Sequence, residues 1–556
     1  MRSQSCFLPK LDPVRLFLLL LLILGGMSAT AAEPPFISQK PAEVGNVLRE
    51  GRKLEMQKRW SEALTHYEKA IRDFPDETSL HGRYENARLH HDVARRYHDR
   101  SFCKAVHEYT LDQALDTYIE VALKIHSHYV KTPHWKELIE CGMNGLDVAL
   151  QTPEFIQENG LVNVPQSKIT QVRHDLRREL GRQIINTHAD ARQAVSRASQ
   201  IASQQLGVRP GAVVMEFCSG AVNTLDPYST FLTPDQLSEV YSQIDGNFVG
   251  LGIELKTLDQ KLVIVRVITG SPAEAAGMKQ GDRIMVIDDK LVSSMPTDKA
   301  ANLLQGPENS EVRLTMLRPN NETYTTTATR RRVEVPSIED VKIVDPRLGI
   351  GYLKLTCFQK STARDLDTAL WSLHKKGMRR GLIMDLRGNP GGLLVTAVEV
   401  VDKFVDKGTI VSTRGRNIEE AFTYTAHEYG TWRVPLVVLI DGDSASAAEI
   451  FAGAIRDHAR GTIIGTKSYG KGSVQGIFPL HSSGSGMRLT TAKFYSPKNL
   501  PFCLRGVSPD IPVREVARPV NGVVVRNGED NTLHAALEFM QRPQTTYGQP
   551  KARLVQ

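Results

Sequence analysis

Cysteine is scarce in this chain, with 6 in 556 residues. Cys6 lies in a leader-like N-terminus. The remainder, Cys103, Cys141, Cys218, Cys357 and Cys503, are widely spaced and odd in number, so they imply neither a disulfide framework nor a zinc knuckle. Long apolar runs are missing after the first few dozen residues, and nothing further along is read as a membrane span. No His-Glu-x-x-His pattern occurs. The 8 of 16 histidines between His81 and His134, among them His90-His91 and His126-Ser127-His128, mingle with Arg and Asp on faces that read as solvated, so no metal ligands are assigned. Basic clusters are few despite a net charge of +7: the only tight run is Arg330-Arg331-Arg332, which argues against a nucleic-acid surface.

What is present is ordinary globular material, 41% hydrophobic and 24% charged, enough for roughly three or four domains. The chain opens with basic Arg2, Lys10 and Arg15, an apolar stretch from Leu16 to Leu24, and Ala29-Thr30-Ala31-Ala32 before Glu33-Pro34-Pro35. Residues 1–32 are therefore read as a secretory signal peptide, which places the mature protein in the periplasm or otherwise outside the cytoplasm; an uncleaved anchor is the alternative.

Residues 33–210 carry a helical pattern. Within them Gly51-x2-Leu54-x5-Trp60-x2-Ala63-x3-Tyr67-x2-Ala70-x4-Pro75 resembles one tetratricopeptide repeat. A single repeat cannot bury its own face, so the helices after it, with Ala87, Ala94, Ala114, Leu115, Tyr118 and Leu123, are expected to cover it. The region is read equally as an adaptor surface for a partner protein or as a helical cap on the catalytic region. Residues 211–242 form the next segment, which contains the turn-rich Leu225-Asp226-Pro227-Tyr228-Ser229.

Alternation then begins with Val249, Leu251, Ile253 and Leu255, and continues through Leu262–Val267 and Arg283–Ile287, with helices expected at Ala273–Ala276 and Thr297–Leu304. Gly250-Leu251-Gly252-Ile253, Ser271-Pro272-Ala273-Glu274-Ala275-Ala276-Gly277-Met278 and Gly281-Asp282-Arg283-Ile284 resemble a PDZ domain, placed at 243–328. The resemblance implies that the backbone amides of Leu251, Gly252 and Ile253 hold a substrate's terminal carboxylate while its last residues add a strand to the domain's edge.

In 336–515 strands and helices alternate, which reads as an α/β layer around a parallel or mixed sheet; 516–556 is a less informative tail. Val434–Ile440 is an unbroken apolar run, and Ala447 onward carries Ile450, Phe451, Ala454 and Ile455 at helical spacing, so Ser446 falls where a helix begins. Unpaired N–H groups and the positive dipole end there favour a developing oxyanion. Met384 through Gly392 forms a glycine-rich turn after another strand, which could be a plain connection or a place where backbone approaches a substrate.

Two further absences narrow the chemistry. Gly465-Thr466-Lys467-Ser468-Tyr469-Gly470-Lys471 matches a phosphate-binding loop for seven positions, but the eighth is Gly472 instead of Ser or Thr, and Ser473–Leu480 is too β-like for the required helix. Gly442-Asp443-Ser444-Ala445-Ser446 lacks the closing glycine of the hydrolase elbow. His458, twelve residues on along a helix rising about 1.5 Å per residue, lies some 18 Å from Ser446, too far to act on it. A lysine can serve as base if burial lowers its pKa from about 10.4 to about 7–8, at a cost of roughly 3–5 kcal/mol. Lys471, flanked by Gly470 and Gly472, is placed for that, and Gln475, four residues on and so on the same side of either a strand or a helix, could orient it with a neutral amide without charging it.

Leu225-Asp226-Pro227-Tyr228-Ser229, Asp385-Leu386-Arg387-Gly388-Asn389-Pro390-Gly391-Gly392, Ser444-Ala445-Ser446-Ala447-Ala448-Glu449-Ile450 and Tyr469-Gly470-Lys471-Gly472-Ser473-Val474-Gln475, in this order around a PDZ-like insert, resemble the carboxyl-terminal processing (tail-specific) serine proteases over about Gly211 to Val513. The family usually has serine where this chain has Ala448, a position without a catalytic role. The resemblance implies a multidomain α/β protein: a helical N-terminal region, a PDZ-like β-barrel and an α/β serine protease core. It implies Ser446 as nucleophile, in preference to Ser444, Lys471 as general base, Gln475 as the group that holds the lysine, and the N–H groups of Ala447 and of Gly391 or Gly392 as the oxyanion hole. No metal or organic cofactor is implied; the partners are proteins with a free C-terminus. The competing expectation is a catalytically idle scaffold binding C-termini through its PDZ and tetratricopeptide-like regions.

Overall fold

The computed structural model describes residues 40–542 except 259–260, 296, 504, 514–516, 521–522 and 527–529; the signal peptide expectation lies outside the described residues. The chain divides at Leu80 into two units. In the first, helices Lys40–Met56 and Trp60–Asp73 pair, with Ala63, Tyr67 and Ala70 buried, at the spacing that suggested a tetratricopeptide repeat.

In the second unit helices Leu111–His128, Trp135–Ala149 and His188–Leu206 surround helix Pro210–Asn223, which is buried along its whole length. Two glycines make the contact possible. A Cβ on Gly220 would fall 2.7 Å from the Cys141 carbonyl oxygen and 2.9 Å from Gly142 Cα, so only hydrogen fits between these backbones. The same apolar core takes in Phe231, Leu480, Met487 and Leu489 from strands and loops outside the bundle, so the bundle and that region are one packed body.

Strand Asn247–Gly250 pairs with Arg331–Glu334 where the chain enters and leaves the β-barrel insert. The insert orders its strands Ile253–Leu258, Lys261–Val267, Arg283–Ile287, Glu311–Leu317 and Thr323–Thr329, with helices Pro272–Ala275 and Thr297–Leu304 where alternation gave way in the sequence. Ile253–Leu258 is one edge strand of that sheet.

The α/β core is a mixed six-stranded sheet. Ile338–Asp345 runs antiparallel to Ile350–Leu355, and Gly381–Asp385, Leu436–Ile440, Thr462–Gly465 and Ile511–Pro512 continue the sheet in parallel. Its central strands are apolar at nearly every position because both faces are covered. Leu382, Met384, Val438 and Ile440 pack on helices Thr362–Lys375, Leu394–Asp402 and Ala447–Asp457; Ile383, Val437, Leu439 and Ile464 pack on Ala536 and Met540 of helix Asn531–Gln541. That last helix lies in the stretch read as an uninformative tail. A second sheet joins Thr230–Leu232, Gly486–Tyr495, Gly408–Gly415 and Thr423–Ala426, with Ser473–Pro479 also paired to Gly486–Tyr495. A strand at Ser473–Pro479 is what removes the phosphate-loop reading.

Candidate active site

Three successive parallel strands end on the same side of the sheet, and each delivers a loop there: 386–392 after Gly381–Asp385, 441–446 after Leu436–Ile440, and 466–472 after Thr462–Gly465. Loops at the carboxyl end of parallel strands are where an α/β layer builds sites. Hydrogen bonds lock the three together. Asp441 Oδ1 accepts from Gly388 N and Ser444 N, both at 3.0 Å; Ala445 N donates to Asn389 O at 2.9 Å; Tyr469 N donates to Ser444 O at 3.0 Å.

Ser446 sits at the mouth of helix Ala447–Asp457 with φ of 55°, a positive value rare for a residue with a side chain. The Ser444 hydroxyl is engaged within the fold. The residue is fully buried, and its Oγ donates to Leu386 O at 2.8 Å while accepting from Asp441 N at 3.0 Å. His458 is accounted for as well, its Nε2 bonded to Thr409 O at 2.7 Å.

Lys471 lies in the loop just before strand Ser473–Pro479, its Nζ 5.1 Å from the centre of the Tyr228 ring. Burial pushes its amine down to about 8, with the positive charge of Arg488 adding to the effect and Glu449 and Asp226 opposing it. Tyr228 comes from the Asp226-Pro227 turn, where Asp226 Oδ1 takes the N–H groups of Tyr228 (2.7 Å) and Ser229 (2.9 Å). Among the described residues no hydrogen bond joins Lys471 Nζ to Ser446 Oγ or to Gln475. The Gln475 amide nitrogen instead donates to Ser473 O at 3.1 Å and Ser473 Oγ at 2.9 Å. The four-residue spacing between Lys471 and Gln475 does not put them on one strand face, because the strand begins only at Ser473 and a bulge falls between Val474 and Gln475.

Gly391 and Gly392 have φ of 104° and 145°. A Cβ on Gly391 would meet Ser446 Cβ at 2.8 Å and Ala447 N at 2.9 Å, so this loop presses directly on the serine. The N–H of Gly391 is used inside its own turn, on Asn389 Oδ1 at 2.8 Å. The N–H groups of Gly392 and Ala447 are taken by no described residue, which leaves these two as the candidate donors to an oxyanion. In the β-barrel insert, Leu251 O and Gly252 O accept from Ala273 N (2.8 Å) and Ile268 N (2.9 Å), while the N–H groups of Leu251 and Gly252 have no described partner. Ile253 opens the edge strand.

Residues 349–513 match the model of peptidase family S41, and residues 263–318 match a PDZ domain. The carboxy-terminal-processing protease of Bartonella bacilliformis is 38% identical over 307 residues, covering 53% of this chain and 68% of the relative. The chain belongs to the carboxyl-terminal-processing protease family. The carboxyl-terminal-processing protease of Synechocystis sp. is 35% identical over 324 residues, 57% of this chain and 74% of the relative. A solved photosystem II D1 C-terminal processing protease is 26% identical over 74% of this chain and 95% of its own, with a TM-score of 0.38. As a member of this family the protein is a serine-type peptidase with a PDZ domain, built as the helical, β-barrel and α/β parts described above.

Three side chains of this protease site went unassigned in the sequence. Tyr228 was legible only as part of a loop, and Arg488 lies mid-strand without a local signal. Glu449 had one: Ser446-x-x-Glu449 ahead of an apolar run is a helix-start pattern. Glu449 is completely buried and accepts from Ser446 N (2.9 Å), Ser468 Oγ (2.5 Å), Gly470 N (2.7 Å) and Lys471 N (2.9 Å). Burial raises its carboxyl above the ordinary range although these donors oppose the shift.

Proposed function

We propose that this carboxyl-terminal-processing protease is an exported endopeptidase that holds a protein's free C-terminus on its PDZ domain and cleaves upstream with Ser446 and Lys471. The observation that carries the reading is a partly buried lysine amine brought down to about 8, in a residue whose backbone N–H shares Glu449 Oε2 with that of a serine strained at a helix start. Neutral Lys471 takes the Ser446 hydroxyl proton as Oγ bonds to the scissile carbonyl carbon. The N–H groups of Ala447 and Gly392 receive the oxyanion. The resulting ammonium gives its proton to the departing amine as the C–N bond breaks, leaving an acyl-enzyme on Ser446. Water, deprotonated by Lys471, then releases the acid and restores the serine.

Closing the pair requires Lys471 Nζ to leave the Tyr228 ring for Ser446 Oγ, and catalytic contacts commonly tighten only when substrate binds. Gln475, whose amide oxygen accepts from no described residue, is proposed to hold the lysine in that state. Export rests on the leader-like residues 1–32. For the PDZ role, the unpaired N–H groups of Leu251 and Gly252 beside an edge strand suit a terminal carboxylate and β-augmentation.

The test uses a tail-bearing protein substrate and its C-terminally amidated twin. Ser446→Ala and Lys471→Ala should each abolish cleavage, and intact-mass spectrometry of the wild type should show an acyl adduct at Ser446. Undiminished cleavage by either variant refutes the mechanism; equal rates for acid and amide refute capture of the terminus.

A further inference from the structure

Four arginines line a cavity of about 310 Å3 whose wall includes Tyr228. Arg88, Arg95 and Arg96 come from helix Thr78–His98, and Arg488 from strand Gly486–Tyr495. Two are committed to the fold. Arg96 is buried and paired with Glu216 at 2.6 Å; Arg88 donates to Glu85 (2.9 Å), Asp226 O (3.0 Å) and Asn223 O.

Arg95 and Arg488 differ from these. Neither guanidinium has a hydrogen bond or ion pair with a described residue, and Arg488 Nε is buried without a partner. The two line the same cavity; burial, and then the charge of Arg95, lower the pKa of Arg488, against a smaller pull from Asp226. The nearby carboxylates form no ion pair with either guanidinium. Asp92 accepts from Asn223 Nδ2 at 3.1 Å, Glu239 from Gln243 Nε2 at 3.5 Å, and Asp226 is engaged by its own turn and by Thr490 Oγ1 at 3.1 Å. Two unpaired guanidinium groups on one cavity wall, Arg488 partly buried and Arg95 exposed at its rim, favour an anion between them.

The position of the cavity says where such an anion comes from. Tyr228, in its wall, is the ring that carries Lys471 Nζ, and an extended peptide advances about 3.3 Å per residue. We propose that this cavity is a specificity subsite for an acidic side chain, Asp or Glu, within about three residues of the cleaved bond, with Arg95 and Arg488 as its cationic walls. Guanidinium groups suit a carboxylate because they donate two parallel hydrogen bonds. The inference rests on Ser446 and Lys471 as the reacting pair.

Peptides ending in the same free C-terminus, with Glu or Gln at each position near the cleaved bond, test it by kcat/KM. At one position Glu should be favoured by roughly 10-fold or more, as one or two hydrogen bonds to a charged group provide. Arg95→Gln and Arg488→Gln should each bring that ratio towards one. Arg95→Glu should shift the preference to Lys; Arg95 is exposed and unpaired, so this variant is expected to fold. An absent Glu preference in the wild type, or a ratio unchanged in both glutamine variants, overturns the subsite while Ser446→Ala still reports on the mechanism. Cleavage that persists in Ser446→Ala overturns the mechanism beneath it. The other source of a carboxylate is the new terminus of the released product. Tighter binding to Ser446→Ala of a product peptide ending in the acid than of its amide, lost on Arg95→Gln, would reassign the cavity and overturn the side-chain proposal.

Discussion

Ser446 and Lys471 hang their backbone N–H groups on the same oxygen, Oε2 of Glu449, at 2.9 Å each. The carboxylate is completely buried, and its other oxygen holds Ser468 Oγ and Gly470 N. One side chain on the first turn of a helix therefore sets the distance between the proposed nucleophile and base from behind.

Glu449→Gln presents an amide nitrogen to donors that need an acceptor. Stability should fall by about 1–3 kcal/mol in urea unfolding, and kcat by roughly 10²-fold or more as the two loops part. Removing the charge that raises Lys471 should also move the acid limb of the pH–rate profile to lower pH. A limb that stays in place would show that the carboxylate acts through packing alone.

The kcat/KM of the wild type should rise with pH through about 8 as Lys471 loses its proton. Because the folded-state pKa lies below that of the unfolded chain, the unfolded state binds more protons between about 8 and 10.5, and stability rises with pH in that window. Below it the cost of the buried ammonium is fully present. Lys471→Met should thus be inactive yet more stable at pH 7, by on the order of 2–3 kcal/mol; an inactive variant with lowered stability would refute the assignment of strain to this amine.

The two serines should separate cleanly. Ser444→Ala removes a buried hydroxyl from Leu386 O and Asp441 N, and should cost about 1–3 kcal/mol while retaining cleavage. Ser446→Gly should remove cleavage while adding about 1 kcal/mol, since glycine adopts φ of 55° without strain. Denaturant midpoints and peptide cleavage read both, and the opposite pattern would move the nucleophile to Ser444.

Arg387 joins the glycine-rich loop to the C-terminal helix. It donates to Asp385 Oδ2 at 2.6 Å and to both oxygens of Asp530 at 2.7 Å, while Tyr352 Oη donates to Asp385 at 2.9 Å. Asp530→Asn should cost about 0.5–1.5 kcal/mol, the pair being partly exposed. It should also lower kcat roughly 3- to 10-fold by loosening the turn beneath Gly391 and Gly392, with Asp530→Glu restoring part of the loss. Unchanged kcat would confine the helix to a structural role.

Sequence by itself determined the elements and the family. The unbroken apolar run Val434–Ile440 marked the central strand Leu436–Ile440 within two residues, helical periodicity marked Ala447–Asp457, and short motifs brought Ser446, Lys471, Ala447, Gly391, Gly392 and Leu251–Ile253 forward, because each is a local constraint on backbone or burial. Tertiary structure alone decided the rest. The Lys471–Gln475 spacing misled because a strand face exists only where a strand does, and Gln475 turned to Ser473. Helix Asn531–Gln541 was unreadable as a sheet cover because its apolar face has meaning only against Ile383, Val437 and Leu439. Burial was the last unknown: whether Lys471 is desolvated depends on Tyr228 and Arg488, hundreds and tens of residues away in sequence, and no window of sequence contains the shape of the cavity they close.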